Sequence, residues 1–206
     1  MTITLRHHPF TRAADVVWML EEVGVPYTLQ FVDMKAAEHK GEAHIALNGM
    51  GKLPVLLDGE AVVSERAAIG VYLADRYASG RLAPRLDDPA RGAYLRWCFY
   101  GPSVVEPCCM ANASKWEYRA SAAGFGTYPA LLATLDEALS HGDYLAGDEF
   151  SMADLLLGGT VRWMLGFGML EKRPAFVAYA ERLSARPAAG VAAKTNARVA
   201  AEQGLG

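Results

Sequence analysis

Cysteine is scarce in this chain, and its placement excludes two architectures. Three cysteines, Cys98, Cys108 and Cys109, occur in 206 residues. An odd number with two adjacent makes a poor disulfide framework, and the spacing is not that of a metal-ligand set, so no metal is expected. They read as small buried hydrophobes of a reducing compartment. Long apolar runs are missing as well. No stretch of 18 apolar residues is available to span a membrane, and Met1-Thr2-Ile3-Thr4-Leu5-Arg6 has no apolar core of a secretory signal. Neither sign of charge dominates: 20 Lys and Arg stand against 23 Asp and Glu, for a net charge of −3. Both signs are dispersed, without a basic stripe for nucleic acid. The expectation is a cytoplasmic globular protein with no nucleic-acid or membrane partner. Its 52% hydrophobic and 21% charged residues suffice for a sizeable core, in one large or two small domains.

Two periodicities divide what is there. Ile3-Thr4-Leu5-Arg6-His7 alternates as a strand does. His8-Pro9-Phe10 breaks it, and Thr11 is a fitting N-cap for a helix that stops at Gly24, with Val16, Val17, Leu20 and Val23 as its buried stripe. Tyr27 to Val32 alternates again. Residues 36–47 carry a loose helical pattern and read as a marginal, partly mobile helix. Val55-Leu56-Leu57 and Ala61-Val62-Val63 flank Asp58-Gly59, a strong hairpin signal, and a helix follows over about 65–78. The order strand–helix–strand–helix–strand–strand–helix is a βαβ unit joined to a ββα unit, the thioredoxin-like arrangement, over residues 1–79. Prolines, a glycine and charges across 80–88 mark a linker. Residues 89–206 are expected to be all-helical, over about 89–112, 127–141, 152–166, 174–185 and 188–201. Gly101-Pro102 and Glu106-Pro107 should interrupt the first of these helices. Ser151-Met152-Ala153-Asp154 has the form of a capping box, with Phe150 and Leu155 placed for a hydrophobic staple. The fold class is thus α/β followed by all-α.

Met50-Gly51-Lys52-Leu53-Pro54-Val55-Leu56-Leu57 has the most unusual grammar. Pro54 opens a strand-like run, and it cannot donate a backbone bond. An exposed edge there accepts an extended ligand by strand addition. The helix beginning just after Ser64 offers free N–H groups to an anion. Two readings stand side by side: a site for a short, anionic, peptide-like molecule, or a plain hairpin packed on a helix.

Gly51-Lys52-Leu53-Pro54-Val55-Leu56, then Ser64-Glu65-Arg66-Ala67-Ala68-Ile69 and Tyr72-Leu73-Ala74-Asp75-Arg76-Tyr77, resemble the glutathione transferase family. Tyr144-Leu145-Ala146-Gly147-Asp148 running into the capping box, and Tyr179, Arg182-Leu183 and Arg186-Pro187, extend the resemblance over nearly the whole chain. It implies glutathione as co-substrate and a homodimer. It implies a glutathione site made by Lys52, Leu53, cis-Pro54, Val55, Glu65 and Arg66, with Val55 pairing its backbone to the cysteinyl unit. Glu65 would accept from the γ-glutamyl ammonium, and Lys52, with His39 or Lys40, would face the glycyl carboxylate. For His39 and Lys40 a solvated helix face is the alternative.

The pattern departs at Arg66, where the family commonly has serine. Arg66 either contacts the ligand carboxylate or points outward and leaves the backbone amide to do so. Asn48-Gly49 also replaces the usual Asn-Pro. The resemblance puts thiolate activation at Thr11, where similar bacterial and theta-like members carry Ser or Cys, and Arg12 would add positive charge. The alternative for Thr11 is a simple N-cap; His7 and His8 read either as a base or as ordinary strand-end residues. An electrophile pocket between the domains would draw on Phe10, Trp97, Tyr100, Ser103, Glu106 and Trp116, each of which also fits a helix core. The expected activity is attack of the glutathione thiolate on a small, partly apolar electrophile, with roles in detoxification. The rivals are glutathione-dependent isomerisation, dehalogenation or peroxide reduction, or a non-catalytic interaction protein on the same scaffold.

Overall fold

The computed structural model describes residues 2–205. Strand β1 spans Ile3–His7, with Ile3, Leu5 and His7 buried and Thr4 and Arg6 half-exposed between them. That period of two pins one face to the core. Helix α1, Ala13–Val23, buries Val16, Val17, Leu20 and Val23. Gly24 ends it at φ +78°, donating its N–H to the Leu20 carbonyl at 2.9 Å, a left-handed stop that glycine takes without strain. Strand β2, Tyr27–Phe31, then lies parallel to β1. A 3-10 turn at Glu38–Lys40 and the one-turn helix α2, Glu42–Ile45, occupy the weakly patterned stretch.

Strands β3, Val55–Asp58, and β4, Ala61–Ser64, form the hairpin, and helix α3 follows over Arg66–Tyr77. The sheet order is β2-β1-β3-β4, with β3 antiparallel to both neighbours. Two details differ from the sequence reading. Asp58 pairs with Ala61, so the turn centres on Gly59-Glu60, with φ +62° at Gly59. And β3 is an inner strand; the open edge of the hairpin belongs to β4.

A second set of helices comprises α4, Arg91–Tyr100; α5, Glu106–Ala113; α6, Tyr128–Ser140; α7, Met152–Gly166; and α8, Pro174–Ser184. Between α4 and α5 the backbone widens into a π-helical turn over Gly101–Val105. Pro102, which lacks an N–H, removes one rung of the ladder there. Gly101 lets α4 and α7 approach closely, since a Cβ on it would lie 2.7 Å from the Thr160 hydroxyl. The capping box forms as expected: Asp154 accepts from the Ser151 N–H and hydroxyl, both at 2.9 Å. Its other oxygen takes the Leu145 N–H and the Tyr179 hydroxyl, at 2.8 and 2.9 Å.

The chain forms two compact units, Met1–Ala78 with Arg186–Gly206, and Ser79–Ala185. The last helix, α9 (Pro187–Glu202), packs on α1 and so goes with the sheet rather than with the helices of residues 89–206 where the sequence division puts it. Arg186 binds Glu22 through two bonds of 2.6 and 2.9 Å. Asn196 bonds the Ala14 carbonyl and the His7 ring.

Candidate functional site

Register gathers the site. Arg6, next to the end of β1, lies opposite Val55, the first residue of β3, and Val55 lies opposite Ser64, the last of β4. Three chain segments therefore leave the sheet at one end: His8–Thr11 leading into α1, the Leu53-Pro54 loop entering β3, and Glu65 at the start of α3. The sequence reading joined Pro54 and the start of α3 in one site, with Thr11 placed beside them by resemblance alone. The register of β1, β3 and β4 brings the three segments to one end of the sheet.

The Leu53–Pro54 peptide is cis. Val55 cannot serve as the open backbone strip. It is fully buried and has ladder partners on both sides. Leu53 can, because it lies outside the strand and its N–H and C=O meet no partner among the described residues. Just before it, the Lys52 carbonyl accepts from two side chains, His44 Nε2 at 3.0 Å and Asn48 Nδ2 at 3.1 Å. Arg6 Nε donates to His44 Nδ1 at 2.9 Å. The Lys52 ammonium itself is exposed and makes no ion pair among the described residues. Lys40 instead donates to the Met50 carbonyl at 3.2 Å. His39 is half-buried, with no bond to its Nδ1 among the described residues.

At α3, Glu65 is exposed and adopts φ +67°, ψ 119°, outside the ordinary regions for a residue with a side chain. No side chain caps this helix, and the N–H groups of Ala67 and Ala68 meet no acceptor among the described residues. Arg66 takes neither course open to it in the sequence reading. It is turned inward, 7% exposed, and pairs with Asp15 of α1 at 2.9 Å. The anion-binding capacity here is that of the helix backbone.

Thr11 is half-buried just ahead of α1, which begins at Ala13 after Arg12. Its hydroxyl donates to the His8 carbonyl at 2.9 Å and accepts the Ala13 N–H at 3.2 Å. Its one proton is thus engaged locally, and reaching a ligand requires turning the O–H away from His8. Arg12 is exposed. His8 Nδ1 accepts the Phe10 N–H, and the ring stacks on Phe31. Burial lowers the pKa of His8, with Asp33 opposing. His7 is fully buried; burial lowers its pKa too, with the Asn196 bond opposing. Both rings are built into the packing, as strand-end residues.

Phe10 is 64% exposed beside Thr11. In the helical unit, Trp97 is buried, edge-on to half-buried Tyr100, with the Arg96 guanidinium over its ring at 4.4 Å. It lines a groove of about 290 Å³ with Arg96, Thr134, Glu137, Ala138 and His141. Ser103 is exposed on the π-turn, Glu106 half-buried at the start of α5, and Trp116 exposed beyond its end. These residues are spread along α4, the π-turn and α5 rather than drawn into one groove of that unit. The cysteines are buried, and burial raises the thiol of Cys109 to about 12.

Sequence reasoning missed Arg6, His44 and Asp15. A lone histidine in a segment without an apolar stripe carries no signal of burial. Asp15 and Arg66 left a faint one: opposite charges in the first turns of two helices that must both cover one sheet.

Family models agree with this architecture. That for the N-terminal domain of glutathione S-transferase matches residues 1–75, and that for the C-terminal domain matches residues 108–187. The chain is similar to the probable glutathione S-transferase GSTF1 of Oryza sativa subsp. japonica, 30% identical, with 94% of each chain covered. Glutathione S-transferase theta-2 of Homo sapiens is 28% identical, covering 79% of this chain and 72% of that one. A glutathione transferase from Methylococcus capsulatus superposes with a TM-score of 0.76 at 26% identity, over 95% of this chain and 99% of that one. The transferase URE2P6 of Phanerochaete chrysosporium, crystallised with oxidised glutathione, shares the fold at a TM-score of 0.79 and 24% identity, over 96% and 97%. With sheet topology, cis-proline loop and relatives in accord, the chain belongs to the glutathione S-transferase family.

Proposed function

We propose that this protein binds glutathione at the end of the sheet and presents its thiolate to a small electrophilic co-substrate. One observation carries the reading: an unpaired backbone strip at Leu53 and an uncapped, strained start of α3 lie side by side. Together they match a γ-linked tripeptide with an anion at one end. The Leu53 N–H and C=O pair with the cysteinyl unit, a role that the sequence reading gave to Val55. The Ala67 and Ala68 amides receive the γ-glutamyl carboxylate, and Glu65 accepts from the α-ammonium. Lys52 neutralises the glycyl carboxylate.

A free thiol has a pKa of about 8.5, so little is ionised at neutral pH. Thr11 supplies an O–H to the thiolate by rotating off the His8 carbonyl, and the N-terminus of α1 adds a favourable dipole. Arg12 adds positive charge. In conjugation the sulfur attacks carbon, a C–S bond forms, and the leaving group departs with its bonding pair. Phe10 is the exposed apolar contact beside the thiol. Trp97, Tyr100, Ser103, Glu106 and Trp116 remain electrophile-side candidates on family resemblance. Homodimer formation, a cytoplasmic location and a role in detoxification rest on that same resemblance.

Calorimetric titration with glutathione, then conjugation of chlorodinitrobenzene by wild type and Thr11→Ala, tests the reading. A charge-assisted hydrogen bond to the thiolate is worth about 1.5–3 kcal/mol, so the variant should lose roughly 10- to 100-fold in kcat at neutral pH. Unchanged turnover removes Thr11 from the mechanism. Binding without turnover in the wild type favours a specialised glutathione-dependent reaction or a non-catalytic protein.

A further inference from the structure

A fully buried histidine stands behind the glutathione strip, and none of the roles above uses it. His44 sits on α2 at 0% exposure, yet both ring nitrogens are satisfied. Arg6 Nε reaches Nδ1 at 2.9 Å, and Nε2 lies 3.0 Å from the Lys52 carbonyl. A guanidinium only donates. Nδ1 must therefore accept, the ring is neutral, and its single proton is on Nε2, pointing at Lys52. Asn48 Nδ2 donates to the same oxygen at 3.1 Å, so both of its lone pairs are filled. Asn48 is anchored in turn, its Oδ1 taking the Met50 N–H at 3.1 Å and its carbonyl the Gly51 N–H at 2.8 Å. Gly51, at φ +59°, leaves no room for a side chain: a Cβ on it would sit 2.8 Å from the His39 carbonyl.

We infer that His44 is a positioning residue for the glycyl end of the ligand, acting through a fixed Arg6–His44–Lys52 relay. The proposal rests on the glutathione reading. The relay runs from β1, an inner strand of the sheet, through a fixed tautomer to the carbonyl of the residue whose ammonium neutralises the glycyl carboxylate. With its carbonyl held from two sides, the Lys52–Leu53 peptide is fixed, and the exposed Lys52 side chain extends from a set position. The γ-glutamyl contact at α3 lies outside the relay, whereas the Leu53 N–H shares one planar peptide with the Lys52 carbonyl. Loss of the relay thus loosens the cysteinyl contact in part and, for a ligand with a glycine, the Lys52 contact as well. Removing His44 should therefore cost affinity for the tripeptide more than for a ligand that lacks the glycine.

The experiment compares calorimetric affinities for glutathione and for γ-glutamylcysteine. In His44→Phe, which fills the space without polar atoms, glutathione should weaken about three- to tenfold, the worth of a hydrogen bond. γ-Glutamylcysteine, which shares only the Leu53 pairing, should weaken by a smaller factor, so the preference for glutathione shrinks. His44→Gln, whose amide can accept from Arg6 and donate to Lys52, should restore the preference. A merely structural role would weaken both ligands alike and would not separate Gln from Phe. Arg6→Met, which releases the ring from the other side at a half-exposed position, should reproduce the loss and stands in if His44→Phe does not fold. Long-range proton–nitrogen correlation spectra of the ligand-free protein should show His44 protonated at Nε2. A proton on Nδ1, or an unchanged preference in both His44→Phe and Arg6→Met, overturns the relay. Failure of the wild type to bind either ligand overturns the glutathione reading itself, and the inference with it, whatever the tautomer.

Discussion

Replacing Arg66 by serine, the residue common at this position in the family, should destabilise this protein rather than improve it. The guanidinium lies 2.9 Å from Asp15, with side-chain exposures of 6% and 10%. At that separation and an effective dielectric constant near 20, the gross attraction is roughly 6 kcal/mol, much of it offset by desolvation of both groups. Removing one partner leaves the other charge buried, which costs about 3–5 kcal/mol. Arg66→Ser should therefore lower the melting temperature by roughly 10 °C and bring a matching drop in the urea midpoint. Asp15→Ala alone should do the same. The double variant should be far more stable than the two losses added together, with a coupling of about 2 kcal/mol or more. Glutathione affinity supplies a second axis. Because Arg66 is held by Asp15, the double variant should bind glutathione within about threefold of wild type, whereas loss of a direct charge-assisted contact costs roughly 10- to 100-fold. Additive losses in the cycle refute the pairing. A collapse of affinity in a folded double variant refutes the assignment of anion binding to the α3 backbone.

Three further outcomes are expected. Gly158→Ala should destabilise by about 1–3 kcal/mol or more in urea unfolding, because its Cβ would sit 2.0 Å from Leu183 Cδ1 between α7 and α8. Asp154→Ala removes the acceptor of four hydrogen bonds at the start of α7 and should cost about 2–4 kcal/mol by the same measurement. His7 takes up its proton at lower pH when folded than when unfolded. Its contribution to stability is complete above the unfolded value near 6.5 and is lost as pH falls through the folded one. Stability should thus drop as pH falls below about 6.5, and His7→Phe should flatten that part of the profile.

Local chemistry made most of the elements legible. The β1 alternation, the Gly24 stop, the Ser151–Asp154 box and the break at Pro102 each have a mechanism within a few residues, and each was found. Errors arose where the answer depends on a partner distant in sequence. The Pro54 strand read as an edge because nothing in residues 54–64 tells which strand lies on its other side; β1 does, and that makes Val55 an inner residue and leaves Leu53 open. Arg66 was expected to meet ligand or solvent because the alternative, Asp15, lies 51 positions earlier in another helix. His44 was invisible for the same reason: its burial follows from Arg6 and Lys52, not from its neighbours. Thr11 was read both ways, as hydroxyl donor and as N-cap; Arg12 takes the N-cap place of α1, and the Thr11 hydroxyl bonds the His8 carbonyl and the Ala13 N–H.

The attachment of α9 to the sheet unit has a consequence for synthesis. That unit is assembled from two stretches with the whole of Ser79–Ala185 between them, so on the ribosome its first part emerges without the helix that covers α1. His7, Ala14 and Glu22 wait for Asn196 and Arg186, while the helical unit, continuous in sequence, can fold as soon as it is made. The nascent sheet is thus exposed longest along α1. Removing residues after 185 would remove a wall of the sheet unit, not a tail.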